Sequence, residues 1–254
     1  MKEMNERNEM EEQKTAVVTG ASRGIGLAVC RTLLEQGMKV YGFGREFSTE
    51  LSDCPAFVPI ACDLTQIRKV TEAVRQIRKE TRISLLVNNA GTGYFGPHEE
   101  LNPDKIHEMT TVNLEIPMTL TQLFLRDLKA QRGTIINISS VTALQANTHG
   151  CAYGATKAGL TSFSRSLFEE VRKYGVKVAV LHPDMTATDF YRHASFRESE
   201  EEDARLLPRE VADAVAWILS MREGMNITEM TIRPQRHIIN RTTKKKEGES
   251  YGTT

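Results

Sequence analysis

The chain has 254 residues, 40% of them apolar and 26% charged, with 33 Lys+Arg against 33 Asp+Glu. That length fits one α/β domain with a sizeable core, and a formal charge of zero offers no general field to hold nucleic acid or an anionic membrane. Cys30, Cys54, Cys62 and Cys151 form no C-x-x-C pair, and there is no run of about 18 apolar residues, so reduced thiols, no metal, no membrane span and a cytoplasmic location are expected.

Residues 1–13 are polar, with no apolar stretch of the signal-peptide kind, and read as a tail. A single domain is expected over 14–240. Its first strand, Thr15–Thr19, runs into Gly20-Ala21-Ser22-Arg23-Gly24-Ile25-Gly26 and a helix over Ile25–Gln36. Gly20 allows a tight turn, Gly24 lets the backbone approach a pyrophosphate, and Gly26 lets helix and sheet pack closely. The helix N-terminus then presents free N–H groups to the anion. The spacing is G-x-x-x-G-x-G, and the Gly-Lys-Ser/Thr of a nucleotide-hydrolysing loop is absent.

The second strand, Lys39–Phe43, is followed by Gly44-Arg45, where an NAD site usually carries an acid for the ribose 2′-hydroxyl. Arg45 beside that gap and Arg23 in the glycine turn suit a 2′-phosphate, so NADP(H) is expected. The third strand, Phe57–Ala61, leads to Asp63-Leu64. Asp63 is a candidate for the adenine amino group or for the N-cap of the helix Ile67–Arg78, where Thr65 competes. Val70, Ala73, Val74 and Ile77 give that helix one apolar face. A strand at Leu85–Asn88 and a long helix at Pro103–Leu128 come next.

The strand Thr134–Ile138 ends in Ser139-Ser140, and a helix over Tyr153–Lys173 opens with Tyr153 and Lys157 on one face, one turn or about 5.4 Å apart. A tyrosine titrates near 10, and a neighbouring ammonium is expected to lower that value and make Tyr153 a general acid/base. Ser140, beyond a strand's C-terminal end, can aim a donor at the same carbonyl oxygen. A strand at Val176–Leu181, a helix at Pro208–Ser220 and a strand at Met230–Ile232 complete a doubly wound, Rossmann-like parallel sheet of about seven strands. Residues 241–254 read as a second polar tail. Substrate contacts are expected from Tyr94, Phe95, Thr142, Gln145, His149, Cys151 and a lid over 185–206 that carries Phe190, Tyr191 and Phe196.

Together, TGASRGIG at 19–26, NNAG at 88–91, Asn113 in TVNL, Ser140 and YGATK at 153–157 closely resemble the short-chain dehydrogenase/reductase family over about residues 14–190. The resemblance implies that Asn89, Ala90 and Gly91 line the adenosine side of the cofactor. It implies that Asn113 bends the long helix and holds a water linking Lys157 to solvent, and that Lys157 binds the nicotinamide ribose. Pro183 and Thr188, with Thr186 as a rival, would meet the nicotinamide. Asp184 stands where the family often has Gly, and the chain ends its last strand with Thr231-Ile232-Arg233-Pro234 rather than Gly-Gly, as in a branch of NADP-preferring reductases. A hydride transfer to or from a small carbonyl or alcohol and a homo-oligomer, tetramer or dimer, are implied. The alternatives are a non-catalytic NADP-binding sensor or scaffold, disfavoured by the intact Asn113, Ser140, Tyr153 and Lys157, and an extended-type epimerase, disfavoured by chain length and glycine spacing.

Overall fold

The computed structural model describes residues 13–192, 194 and 196–241, so the expected tails lie outside it apart from Gln13 and Arg241. Strands β1 (Thr15–Thr19), β2 (Lys39–Gly44), β3 (Phe57–Ala61), β4 (Leu85–Asn88), β5 (Thr134–Ile138), β6 (Lys177–Pro183) and β8 (Glu229–Ile232) pair in parallel in the order β3-β2-β1-β4-β5-β6-β8. Helices α1 (Gly24–Glu35) and α6 (Pro208–Leu219) cover one face. Helices α2 (Ile67–Glu80), α4 (Ile116–Ala130) and α5 (Cys151–Val171) cover the other. The expected doubly wound sheet is present.

Alternation along each strand feeds the two cores. Ala16, Val18 and Val40 join Val29 and Leu33 of α1 and Val215 of α6. Val17 and Tyr41 join Val70, Val74 and Ile77 of α2 and Phe124 of α4. Both faces are covered, which is why these strands read as unbroken apolar runs. Each such side chain removed from water contributes about 1.5–3 kcal/mol.

Three departures from the expected elements matter. The helix anticipated over 103–128 is α3 (Pro103–Thr110), a π-helical turn over Thr111–Glu115, and α4. Asn102 caps α3 by accepting the Asp104 N–H at 2.8 Å, with Pro103 in its first turn. Second, α2 starts after Gln66, so neither Asp63 nor Thr65 is its N-cap. Third, β7 (Phe196–Glu198) and β9 (Ile239–Arg241) form an antiparallel ribbon that ties the lid to the end of the described chain. Among the described residues no helix is long and apolar enough to cross a membrane.

Candidate active site

A cleft of about 290 Å³ opens beyond the C-terminal ends of the central strands. Its first wall is the glycine turn after β1. Gly20 and Gly24 have φ of 66° and 55°, backbone that glycine adopts without cost. Gly26 is a close approach instead: a Cβ there would stand 2.1 Å from the Gly20 carbonyl oxygen. The Thr19 hydroxyl accepts the Asn89 and Ala90 N–H groups at 3.0 and 2.9 Å, while Asn89 Nδ2 donates to the Thr19 carbonyl at 2.9 Å. The glycine turn and the Asn89–Gly91 turn are therefore one piece. Helix α1 starts at this turn with no side-chain cap and no acid in its first turn, so its leading N–H groups face the cleft.

Arg23, Arg45, Asp63 and Leu64 line the outer end. The Asp63 carboxyl accepts from the Thr65 N–H at 3.0 Å and its hydroxyl at 2.9 Å. That main-chain bond above all holds Asp63 below the usual carboxylate range, with Arg45 adding a smaller pull. Arg23 stands 4.0 Å from Asp189, both well exposed.

The inner end brings Ser140, Tyr153 and Lys157 together. Lys157 is buried, and its Nζ donates to the Ile138 carbonyl at 2.8 Å. Burial pulls its pKa from 10.5 to about 8. Tyr153 is also buried, and here the expectation fails in direction. Burial pushes the phenol up, and the hydrogen bond with Ser140 is what pulls against it. Lys157 Nζ lies 5.9 Å from the ring centroid, too far for its charge to offset desolvation. The Ser140 Oγ accepts the Thr142 N–H at 3.2 Å, which leaves its one hydrogen to donate.

Asn113 sits at the centre of the π turn, fully buried. Its Oδ1 accepts the Thr92 N–H at 2.9 Å, and its Nδ2 donates to the Thr92 carbonyl at 2.9 Å and the Thr156 hydroxyl at 3.0 Å. The long helix is interrupted there by a π-helical turn. Asn113 thereby ties the loop after β4 to α5.

The family profile for short chain dehydrogenases matches residues 14–199. This chain belongs to the short-chain dehydrogenase/reductase family. It is similar, at 32% identity over 230 residues, to an uncharacterized oxidoreductase of Staphylococcus epidermidis, covering 87% of this chain and 97% of that one. A Haemophilus influenzae protein named "probable NADP-dependent dehydrogenase" is 29% identical over 236 residues, 87% of this chain and 93% of that one. An alcohol dehydrogenase of the archaeon Thermococcus sibiricus, solved with 5-hydroxy-NADP, superposes with a TM-score of 0.81 at 27% identity, over 89% of this chain and 99% of that one. A metagenomic short-chain oxidoreductase solved with NADP gives 0.74 at 31%, over 87% and 96%.

Within this family fold most of the expected positions share the cleft: Gly20, Ser22, Arg23, Gly24, Ile25, Arg45, Asp63, Leu64, Asn89, Ala90, Gly91, Ser140, Tyr153, Lys157, Pro183, Thr186 and Thr188. Gly26 and Asn113 lie behind it. Asp184 replaces the family's glycine without strain, since its φ is not positive; its carboxylate accepts the Met185 N–H at 2.8 Å. Of the two threonines, Thr188 closes on the glycine turn, its Cγ2 3.0 Å from where a Gly24 Cβ would stand.

Some expected substrate contacts are misplaced. Thr142, Gln145 and Cys151 line a separate shallow groove, and the His149 carbonyl accepts the Gly96 N–H at 2.8 Å as a loop anchor. The aromatic expectation fares better. Phe95 and Phe190 lie 5.4 and 5.5 Å from the Tyr153 ring, and Phe95, Tyr191 and Phe196 stack mutually at 5.1–5.9 Å. Arg236 tethers this lid from outside, holding Asp203 at 2.6 Å and also Glu201. That clamp carries no motif and was invisible in the sequence.

Proposed function

We propose that this oxidoreductase uses NADP(H) to interconvert a small carbonyl and its alcohol, with Tyr153 as the acid/base. The observation that carries this is the convergence of Ser140, Tyr153 and Lys157 at the inner end of the same cleft whose outer end is the glycine turn. The cleft fits a dinucleotide: a Cβ at Gly26 would fill the cradle, α1 offers uncapped N–H groups, and no carboxylate ends β2. Arg23 and Arg45 flank the place where a 2′-phosphate would lie, and the NADP bound to two structural neighbours supports the same choice.

When bound, NADPH supplies the hydride. The protein's own part is then to bind the carbonyl oxygen between the hydroxyls of Ser140 and Tyr153 and to protonate it as the alcohol forms. Burial keeps the phenol protonated, so the resting protein is poised as a proton donor. Lys157, held on the Ile138 carbonyl, keeps a positive charge below the phenol at neutral pH and stabilises the phenolate left behind.

The test is consumption of NADPH against NADH over a panel of carbonyls. A charge-assisted hydrogen bond contributes roughly 1.5–3 kcal/mol, so Arg23→Ala and Arg45→Ala should each cut the NADPH preference by about ten-fold or more. An unchanged ratio in both would reject the 2′-phosphate site.

The rings around Tyr153 extend the proposal to substrate class: a carbonyl bearing an apolar or aromatic substituent. Aromatic pairs add about 0.5–1.5 kcal/mol beyond area burial. Phe190→Ala, which removes a ring that lines the cleft 5.5 Å from Tyr153, is therefore expected to raise KM for an aryl ketone by roughly three- to ten-fold while changing that of acetaldehyde little. Equal changes for both substrates would refute a ring-to-ring contact.

A further inference from the structure

His182 has no part in the chemistry above, yet it is a fully buried ionisable side chain in β6, directly behind Ser140. Its Nδ1 lies 3.2 Å from the Ser140 carbonyl oxygen. Its Nε2 has no aligned partner and faces Glu229 Oε2 at 3.4 Å. Arg165 grips that carboxylate through Nε at 2.5 Å and Nη2 at 3.0 Å, which holds it ionised.

Burial keeps the imidazole below its ordinary pKa, against the pull of the Ser140 carbonyl and Glu229. The ring therefore carries one hydrogen at neutral pH; both of its neighbours can only accept, and the Ser140 carbonyl is the aligned one, which assigns the hydrogen to Nδ1. Ser140 is then tied twice: its carbonyl by His182, and its hydroxyl oxygen by the Thr142 N–H at 3.2 Å. The two ties fix the Ser140 oxygen and leave its one hydrogen to donate on the side of Tyr153. A residue shifted by about 1 Å can lose as much as a hundred-fold in rate.

We infer that His182 is a positioning residue, which sets the aim of the Ser140 hydroxyl by donating from Nδ1 to the Ser140 carbonyl. This rests on the proposed reductase activity and on Ser140 as a donor to the substrate. The test is a double-mutant cycle read by kcat, the NADPH dissociation constant and Tm. Asn places an amide N–H near the Nδ1 position, whereas Leu offers no donor there.

His182→Leu is expected to lose roughly ten-fold or more in kcat with NADPH affinity unchanged, and His182→Asn to recover most of it. In a Ser140→Ala background His182→Leu should cost nothing further. Nitrogen NMR of the ring, independent of turnover, should find the hydrogen on Nδ1. Equal losses in Leu and Asn, a full loss persisting in Ser140→Ala, or a hydrogen on Nε2 would overturn the inference. A wild-type protein that binds NADPH but reduces no carbonyl would instead remove the activity on which it rests.

Discussion

Tyr153→Phe is expected to lower kcat on every carbonyl by about 10²–10⁴-fold, the span that positioned acid–base catalysis contributes, while leaving NADPH affinity within two-fold. The substitution keeps the ring that packs against Phe95 at 5.4 Å and Phe190 at 5.5 Å, so the mouth of the site should hold its shape. What it removes is the proton. The pH dependence has a definite sign. The phenol is protonated throughout the accessible range, because burial raises it. Lys157 carries its charge below about pH 8 and loses it above. Carbonyl reduction should hold from neutrality to about pH 8 and fall beyond it, whereas alcohol oxidation, in which Tyr153 must accept a proton, should favour the alkaline side. Stability moves the other way from reduction. The Lys157 pKa is depressed from 10.5 to about 8, so between those values the unfolded chain binds more protons and folding grows more favourable as pH rises. A mutant retaining more than a tenth of wild-type kcat would remove Tyr153 from the chemistry.

The strands were legible because a sheet covered on both faces writes itself as β-branched apolar runs, and all seven of its strands fall where those runs do. The ribbon of β7 and β9 was not, since Phe196–Glu198 and its partner are three residues each, mostly polar, and held by a pairing no local pattern encodes. Family resemblance alone implied a local bend at Asn113, and nothing in the sequence pattern marked the π turn found there. One extra residue per turn barely disturbs apolar spacing, and Pro117 sits harmlessly in the first turn of α4. Proximity in sequence misled at Gln145 and Cys151, which precede Tyr153 by a few residues but line a different surface. Spacing also misled at the phenol. An i, i+4 lysine promised a lowered pKa, yet the burial that both side chains share was not visible in the pattern. His182 reads as one polar residue in an apolar run, and its partner Glu229 lies on another strand, so nothing local marked it.

Gly26→Ala is expected to weaken NADPH binding by more than a hundred-fold and to lower Tm. The new Cβ would stand 2.1 Å from the Gly20 carbonyl oxygen, 2.7 Å from the Gly20 carbonyl carbon and 2.5 Å from Asn89 Nδ2. Two of those three atoms are backbone in a turn already fixed at φ 66°, and the third is bonded to the Thr19 carbonyl, so none can yield cheaply. The helix must retreat instead. Val29, Cys30 and Leu33 then shift against the sheet and α6, which costs core packing, typically 1–3 kcal/mol for such overpacking. The same retreat withdraws the leading N–H groups of α1 from the anion they are placed to meet. Gly37→Ala is the control: φ is 78° there but nothing lies within 4 Å, so it carries backbone strain of about 1–2 kcal/mol without touching the cleft. Titration of both variants with NADPH, monitored by nicotinamide fluorescence, separates the two effects. Lost affinity in Gly26→Ala with affinity retained in Gly37→Ala ties the glycine cradle to the dinucleotide, and unchanged affinity in both would place the cofactor elsewhere.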